Sequence, residues 1–350
     1  MGKVLLGDVA KEVKEKFHSS GVPPMVVGLE HLIPEEIRLK NWNNETGINT
    51  TFTKAFHKGQ ILFGRRRAYL KKAAVAPSDG ICSGDITVIS ARPEKILPEL
   101  LPFVIQNDEF FAFAVEKSAG SLSPRVKWSQ LKDYAFQLPE MGEQRKLAKV
   151  LWQLVETREK YQNLIVQTDE LVKSQFIEMF GNPVTNDYNW PTKPLKEVAP
   201  EYSPRIPVAD YYWWLNLDMI ETYSGRLIDK VMATPGEIGN SISTFDETMV
   251  LYSKLRPYLN KVFIPNDCGY ATTELVGMKP NLEFLNKYFL FNLLRGDQFV
   301  AYANGLSSGG QMPRIPMKAL RNFKCILPPM DLQEKFVEIS QQSDKSKFTM

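Results

Sequence analysis

Hydrophobic positions along the chain fall into three patterns. Short apolar runs (ILFG at 61–64, AVAP at 74–77, ITVIS at 86–90, MVLYSK at 249–254, KVFIP at 261–265) are rich in Val, Ile and aromatics. They stand between Gly, Pro and Asp turns, which predicts strands. Two longer stretches, 97–117 and 285–303, carry enough apolar residues in succession to predict helices packed on a sheet. Residues 139–183 behave differently. Leu147, Leu151, Leu154, Arg158, Tyr161, Ile165, Thr168, Val172, Phe176 and Met179 recur at an approximate four-three spacing, a coiled-coil type of seam interrupted by Arg158 and Thr168. Pro139 suits the start of this helix, and Gly181 and Pro183 stop it. About 40 residues give a rod of roughly 60 Å.

The patterns occur twice. FGRRRAYLKK at 63–72 matches YSKLRPYLNK at 252–261 without a gap, an offset of 189 residues that sets Arg67 on Arg256, Tyr69 on Tyr258 and Lys72 on Lys261. The same offset pairs Asp85 with Glu274, Gly120 with Gly309, Pro124-Arg125-Val126 with Pro313-Arg314-Ile315, Gln144 with Gln333, and LLGDVA at 5–10 with PLKEVA at 194–199. So long a period means two whole units in tandem and excludes a solenoid. LPPMDLQEKFVEIS at 327–340 repeats LPEMGEQRKLAKVL, so a second helix is expected there. It would pair antiparallel with the first and reach barely half its length. The expected division is 1–137 and 184–326 for the two units, 138–183 for the central spacer helix and 327–350 for the short C-terminal helix. The fold class expected is α+β: two tandem pseudo-symmetric strand-rich units with packed helices, separated by long helices that form an antiparallel coiled-coil spacer.

Composition changes this picture little. The 350 residues are 43% hydrophobic and 24% charged, as in soluble globular proteins. No run of about 18 apolar residues predicts a membrane span, and the N-terminal MGKVLLGDVAKEVKEK lacks a signal-peptide core, so a cytoplasmic protein with no membrane partner is expected. Cys82, Cys268 and Cys325 are isolated, as are His18, His31 and His57, so free thiols and no metal site are expected. The net charge of +3 matters less than its distribution. Arg65, Arg66, Arg67, Lys71 and Lys72 in one copy, and Lys254, Arg256 and Lys261 in the other, cluster at one internal address with no acid among them.

Arg suits bidentate contact with guanine in the major groove and Lys suits phosphate, while Tyr69 and Tyr258 offer a ring to stack or a hydroxyl to donate. For either copy alone, a solvated sheet edge over a packed Tyr is the plainer reading. Recurrence at one address turns the reading towards DNA. GSLSPR at 120–125 and GGQMPR at 309–314 add Ser121, Ser123, Arg125, Gln311 and Arg314 on Gly-rich loops, which either approach a phosphate closely or are ordinary turns. No catalytic constellation emerges: there is no Walker loop, and the one Asn-Pro lacks the aromatic of a methyltransferase box. Asp85 and Glu274 read better as contacts with neighbouring cations than as catalytic acids.

The strings ILFGRRRAYLKKAAVAPSDGICSGDITVI and GSLSPR, the two LPxMxxQxK boxes, and MFGNP after the long helix together resemble the specificity subunits of type I restriction-modification systems, over essentially the whole chain. The resemblance implies a non-catalytic subunit with two target-recognition domains, each reading half of a bipartite double-stranded DNA site. Divergence of the copies, Arg65-Arg66-Arg67 against Lys254-Leu255-Arg256, implies an asymmetric target. It implies methyltransferase (M) and restriction (R) subunits as partners, with S-adenosylmethionine and ATP on those partners and no cofactor on this chain. The competing expectation is a helical assembly scaffold, or an incomplete or silent specificity allele, that touches DNA only incidentally.

Overall fold

The computed structural model describes residues 2–17, 25–43, 51–239 and 241–348; His18 lies outside them. The chain divides into two compact units, residues 1–159 and 160–350, the boundary falling inside one long helix.

In unit 1 the order is β1 (Gly2–Leu5), α1 (Leu6–Val9), β2 (Ala10–Val13), β3 (Val26–Val27), β4 (Lys54–Phe56), β5 (Ile61–Gly64), β6 (Ala73–Val75), β7 (Gly80–Cys82) and β8 (Ile86–Ala91). Helices α2 (Leu101–Ile105), α3 (Asp108–Glu116) and α4 (Trp128–Leu131), strand β9 (Ala135–Leu138) and the long helix α5 (Met141–Phe180) follow. Unit 2 continues with β10 (Thr192–Pro194), α6 (Leu195–Val198), β11 (Tyr212–Leu215), β12 (Val231–Ala233), β13 (Ile242–Phe245), β14 (Val250–Ser253), β15 (Val262–Phe263), β16 (Gly269–Thr272) and β17 (Leu275–Met278). It closes with α7 (Lys287–Arg295), α8 (Asp297–Gly305), α9 (Met317–Arg321), β18 (Lys324–Ile326) and α10 (Met330–Phe348).

Sheet order repeats with the sequence. Unit 1 has the sheets β1-β9, β2-β8-β5-β6 and β3-β7-β4; unit 2 has β10-β18, β15-β14-β17 and β12-β11-β16-β13. The central strands β5 and β14 are buried throughout, because successive side chains enter two different cores. Ile61 and Phe63 join the core beneath the helices while Leu62 joins the core within the sheets. Val250 and Tyr252 do the first in unit 2, and Leu251 the second. An alternation that is apolar on both faces is why these strands read clearly in sequence.

The mixed helix-and-strand class, the two sheet-rich units and the long helix agree with expectation. Two details differ. Each helix expected over 97–117 and 285–303 is broken in two. Asn107 leaves the helical region and its side chain accepts the N–H of Glu109, restarting the chain as α3, and Gly296 has extended backbone between α7 and α8. The apolar seam of α5 is not buried along its length: Val172, Phe176 and Phe180 are buried, whereas Leu147, Leu154 and Tyr161 are exposed. Helix α10 meets α5 through Phe336, which packs on Phe176 and Phe180 in the last turns of α5.

Candidate nucleic-acid interface

The basic strings do not continue their strands. After β5 the backbone of Arg67 turns left-handed (φ 54°), residues 68–70 make a turn of 3-10 helix, and Lys71 is left-handed again (φ 49°). Arg256 (φ 49°) and Asn260 (φ 47°) bracket residues 257–259 in the same way. Left-handed backbone is costly for a residue with a Cβ, on the order of 1–2 kcal/mol, so the surroundings must impose it.

They do so with main-chain bonds that repeat at the 189-residue offset. The N–H of Arg67 donates to Pro124 O at 2.8 Å and that of Arg256 to Pro313 O at 2.7 Å. The N–H of Val126 donates to Arg65 O at 3.0 Å and that of Ile315 to Lys254 O at 3.1 Å. Arg65 and Lys254 donate their N–H groups to Asp85 O and Glu274 O, each at 3.0 Å. The Gly-rich loop is thus stitched to the basic turn, and both hang on the acidic residue that precedes β8 or β17. Gly120 and Gly309 supply the left-handed corners (φ 113° and 118°) that bring Pro-Arg back alongside.

The acid also holds the Pro-Arg side chain. Arg125 Nε donates to Asp85 at 2.7 Å, and Arg314 binds Glu274 through Nε at 3.1 Å and Nη2 at 2.9 Å. The Arg125 hydrogen bond, with the nearby charges of Arg66 and Arg65, keeps the Asp85 carboxyl below its ordinary range. Arg66 completes this cluster in unit 1, reaching Ser123 Oγ at 3.0 Å and Asp85 at 3.5 Å. Leu255 takes its place in unit 2, where Arg256 donates to Gln311 O at 3.3 Å.

The structure therefore brings together Arg65, Arg66, Arg67, Tyr69, Ser123 and Arg125 in one unit, and Lys254, Arg256, Tyr258, Gln311 and Arg314 in the other. Ser121 stands exposed on the first loop. Tyr69 and Tyr258 project from the turns, 55% and 40% exposed, so neither packs in the core. Lys71, Lys72 and Lys261 face other tasks. Lys71 pairs with Asp108 at 2.5 Å and Glu35 at 3.1 Å, which raise its pKa in that order. Lys72 donates to Leu29 O at 2.8 Å and Lys261 to Leu217 O at 2.5 Å; burial lowers the Lys261 pKa. Sequence reasoning missed Leu122 and Met312, large apolar residues exposed on the tips of the two Gly-rich loops. Their position between Gly and Pro-Arg was the available signal.

The LPxMxxQ boxes have a structural task. Gln144 Oε1 accepts the N–H of Leu97 at 2.8 Å while its Nε2 donates to Pro139 O at 2.9 Å. Gln333 does the same for Asn286 N and Pro328 O, at 2.9 and 2.8 Å. Among the described residues no group of His, Cys, Asp and Glu is placed to hold a metal, and no helix is long and apolar enough to cross a membrane.

The chain is similar to several known proteins. Residues 35–167 match the type I restriction modification DNA specificity domain. The chain is 21% identical over 265 residues to the Escherichia coli type I restriction enzyme EcoDI specificity subunit, covering 65% of this chain and 59% of that protein. It is 24% identical over 323 residues to the Methanocaldococcus jannaschii MjaIX specificity subunit, covering 85% and 73%. The chain thus spans less than two thirds of the E. coli relative's length. The solved type I S subunit of M. genitalium shares the fold with a TM-score of 0.55 at 13% identity, over 99% of this chain and 90% of that one. A structure concerned with complex assembly and conformational transition of the type I R-M system gives 0.50 at 20% identity, over 99% and 92%. Residues 35–167 are thus similar to a type I restriction modification DNA specificity domain, and the chain shares the fold of a solved type I S subunit.

Proposed function

We propose that this chain reads a bipartite, asymmetric double-stranded DNA target through its two basic turns and directs type I methyltransferase and restriction subunits to it. The observation that supports this best is the duplication of one strained turn, bond for bond, with an exposed Tyr each time and different neighbours in the two copies. A geometry kept at the cost of left-handed backbone twice over is a sign of function rather than of an ordinary loop. Arg67, Arg256, Tyr69 and Tyr258 are the contacts nearest the bases or phosphates; Arg125 and Arg314 position the loops. On this reading the chain is not itself an enzyme. It works in the cytoplasm, and its partner subunits carry S-adenosylmethionine and ATP while it binds no cofactor.

The test is methylation mapping in cells that co-express the chain with the methyltransferase subunit encoded beside it. A two-part adenine-methylated motif that disappears with Arg67→Ala plus Arg256→Ala is the expected result. A motif indifferent to both substitutions overturns the reading of these turns.

A further inference from the structure

The Gly-rich loop of unit 1 is held firmly at its base and bare at its tip. Ala119 and Arg125 close it with two main-chain bonds, Ala119 N–H to Arg125 O at 3.0 Å and Arg125 N–H to Ala119 O at 2.9 Å. The N–H of Arg67 holds Pro124 O, and the Arg66 guanidinium holds Ser123 Oγ at 3.0 Å. Fixed in this way, the loop carries Leu122 with 90% of its surface exposed, the most exposed large hydrophobic residue among the described residues of unit 1. Single exposed leucines are common on protein surfaces. This one is distinguished by its place, at the tip of a loop bonded to the basic turn.

The 189-residue offset sets Leu122 on Gln311. Unit 2 builds its loop in the same manner: Ser308 N–H donates to Arg314 O at 3.2 Å, Arg314 N–H to Ser308 O at 2.8 Å, and Arg256 N–H to Pro313 O. Gln311 is exposed there as Leu122 is in unit 1. One position on a shared backbone therefore shows an aliphatic side chain in one unit and an amide in the other. The polar neighbours of Leu122 have partners within the protein. Ser123 Oγ accepts from Arg66, and Arg125 Nε and Nη2 donate to Asp85 at 2.7 and 3.3 Å. What Leu122 adds to the surface is apolar contact.

We infer that Leu122 is a specificity-determining residue that packs on the C5-methyl group of a thymine in the half-site read by unit 1. The inference rests on the proposed reading of DNA and assigns one base to one side chain. Among the base edges of the major groove the thymine methyl is the apolar group, and apolar side chains contact it. A Gln in the same place pairs with the N6 and N7 edge of adenine, so Leu122 and Gln311 give the two half-sites different requirements at the corresponding position. The other use of an exposed leucine is as a wedge that unstacks neighbouring base pairs. A wedge is indifferent to base-edge chemistry, and base-edge chemistry is what separates Leu122 from Gln311.

The experiment uses the full chain purified with the methyltransferase subunit encoded beside it. Methylation mapping supplies the two-part motif, and duplexes are then made in which each thymine of the motif in turn is replaced by deoxyuridine, which removes the C5-methyl group and keeps the base pair. At one thymine of one half-site the replacement is expected to weaken binding about three- to tenfold. Leu122→Ala is expected to bind the thymine and deoxyuridine duplexes alike, at the weaker affinity. Its melting temperature stays in place, because the side chain is exposed. A motif at which no deoxyuridine matters, or a deoxyuridine effect that Leu122→Ala leaves unchanged, overturns the inference and leaves the DNA reading standing. Equal weakening of both duplexes by Leu122→Ala is the mark of a wedge and overturns it too. A motif indifferent to Arg67→Ala plus Arg256→Ala is a different failure: it overturns the reading of the turns, and the inference falls with it.

Discussion

Gln333 Oε1 accepts the backbone N–H of Asn286 at 2.9 Å, and Asn286 in turn caps α7 by accepting the N–H of Tyr288. The side chain of Gln333 is fully buried and also donates to Phe284 O and Pro328 O. Gln333→Leu keeps the volume but strands a buried N–H and two carbonyls, at a cost of about 1–3 kcal/mol. A lower denaturation midpoint for unit 2, with the slope unchanged, is the expected outcome in urea. An unshifted midpoint means the clamp is dispensable.

The left-handed turn separates charge from conformation at one residue. Arg67→Gly and Arg67→Ala remove the same cation, and only glycine adopts the backbone at φ 54° freely. Both variants should lose DNA affinity to a similar extent, while Gly is more stable than Ala by about 1 kcal/mol, because Ala keeps the strain that Arg already carries. Binding isotherms paired with thermal melts decide it; equal stability of the two variants removes the argument for imposed strain.

Asp85 and Glu274 yield a prediction of unexpected sign. Deleting an acid beside a cationic surface ordinarily favours DNA. Here Asp85→Ala frees the loop at Arg125 and lowers affinity, because the loop no longer holds its place against the turn. A titration at fixed salt reads the outcome, and tighter binding by the variant refutes the positioning role.

His57 lies between two carboxylates, with Nδ1 3.0 Å from Asp79 and Nε2 3.1 Å from Glu15. The hydrogen bond to Asp79, then that to Glu15, raises its pKa above 6.5. The stabilisation from its protonated form is complete below the unfolded value and is lost as pH rises through the raised folded value. Unit 1 should melt lower above that range, and His57→Gln should flatten the dependence. An imidazole NMR titration midpoint at or below the ordinary histidine value contradicts it.

Legibility in the sequence followed the reach of each interaction. Strands β5 and β14 were readable because each residue serves one of two cores in strict alternation, and the duplication was readable because the bonds of the turn leave it no room for insertion. The breaks after α2 and α7 were masked by the apolar runs around them, although Asn107 and Gly296 are the residues that make them. Lys72 and Lys261 read as outward cations, yet each meets a carbonyl more than forty positions away. No local pattern records such a partner. The seam of α5 was readable as amphipathic, but periodicity alone does not say which of its turns find cover.

The basic turn is hung from amide and carbonyl groups, the atoms that nearly every residue type possesses. The frame that fixes Arg67 against Pro124, and Arg256 against Pro313, therefore places little demand on the side chains it displays. Arg66 in one copy and Leu255 in the other occupy the same bridge to the Pro-Arg strand. A lineage can rewrite the message on such a mount while leaving the mount intact, so new recognition is reachable by single substitutions without an unfolded intermediate form.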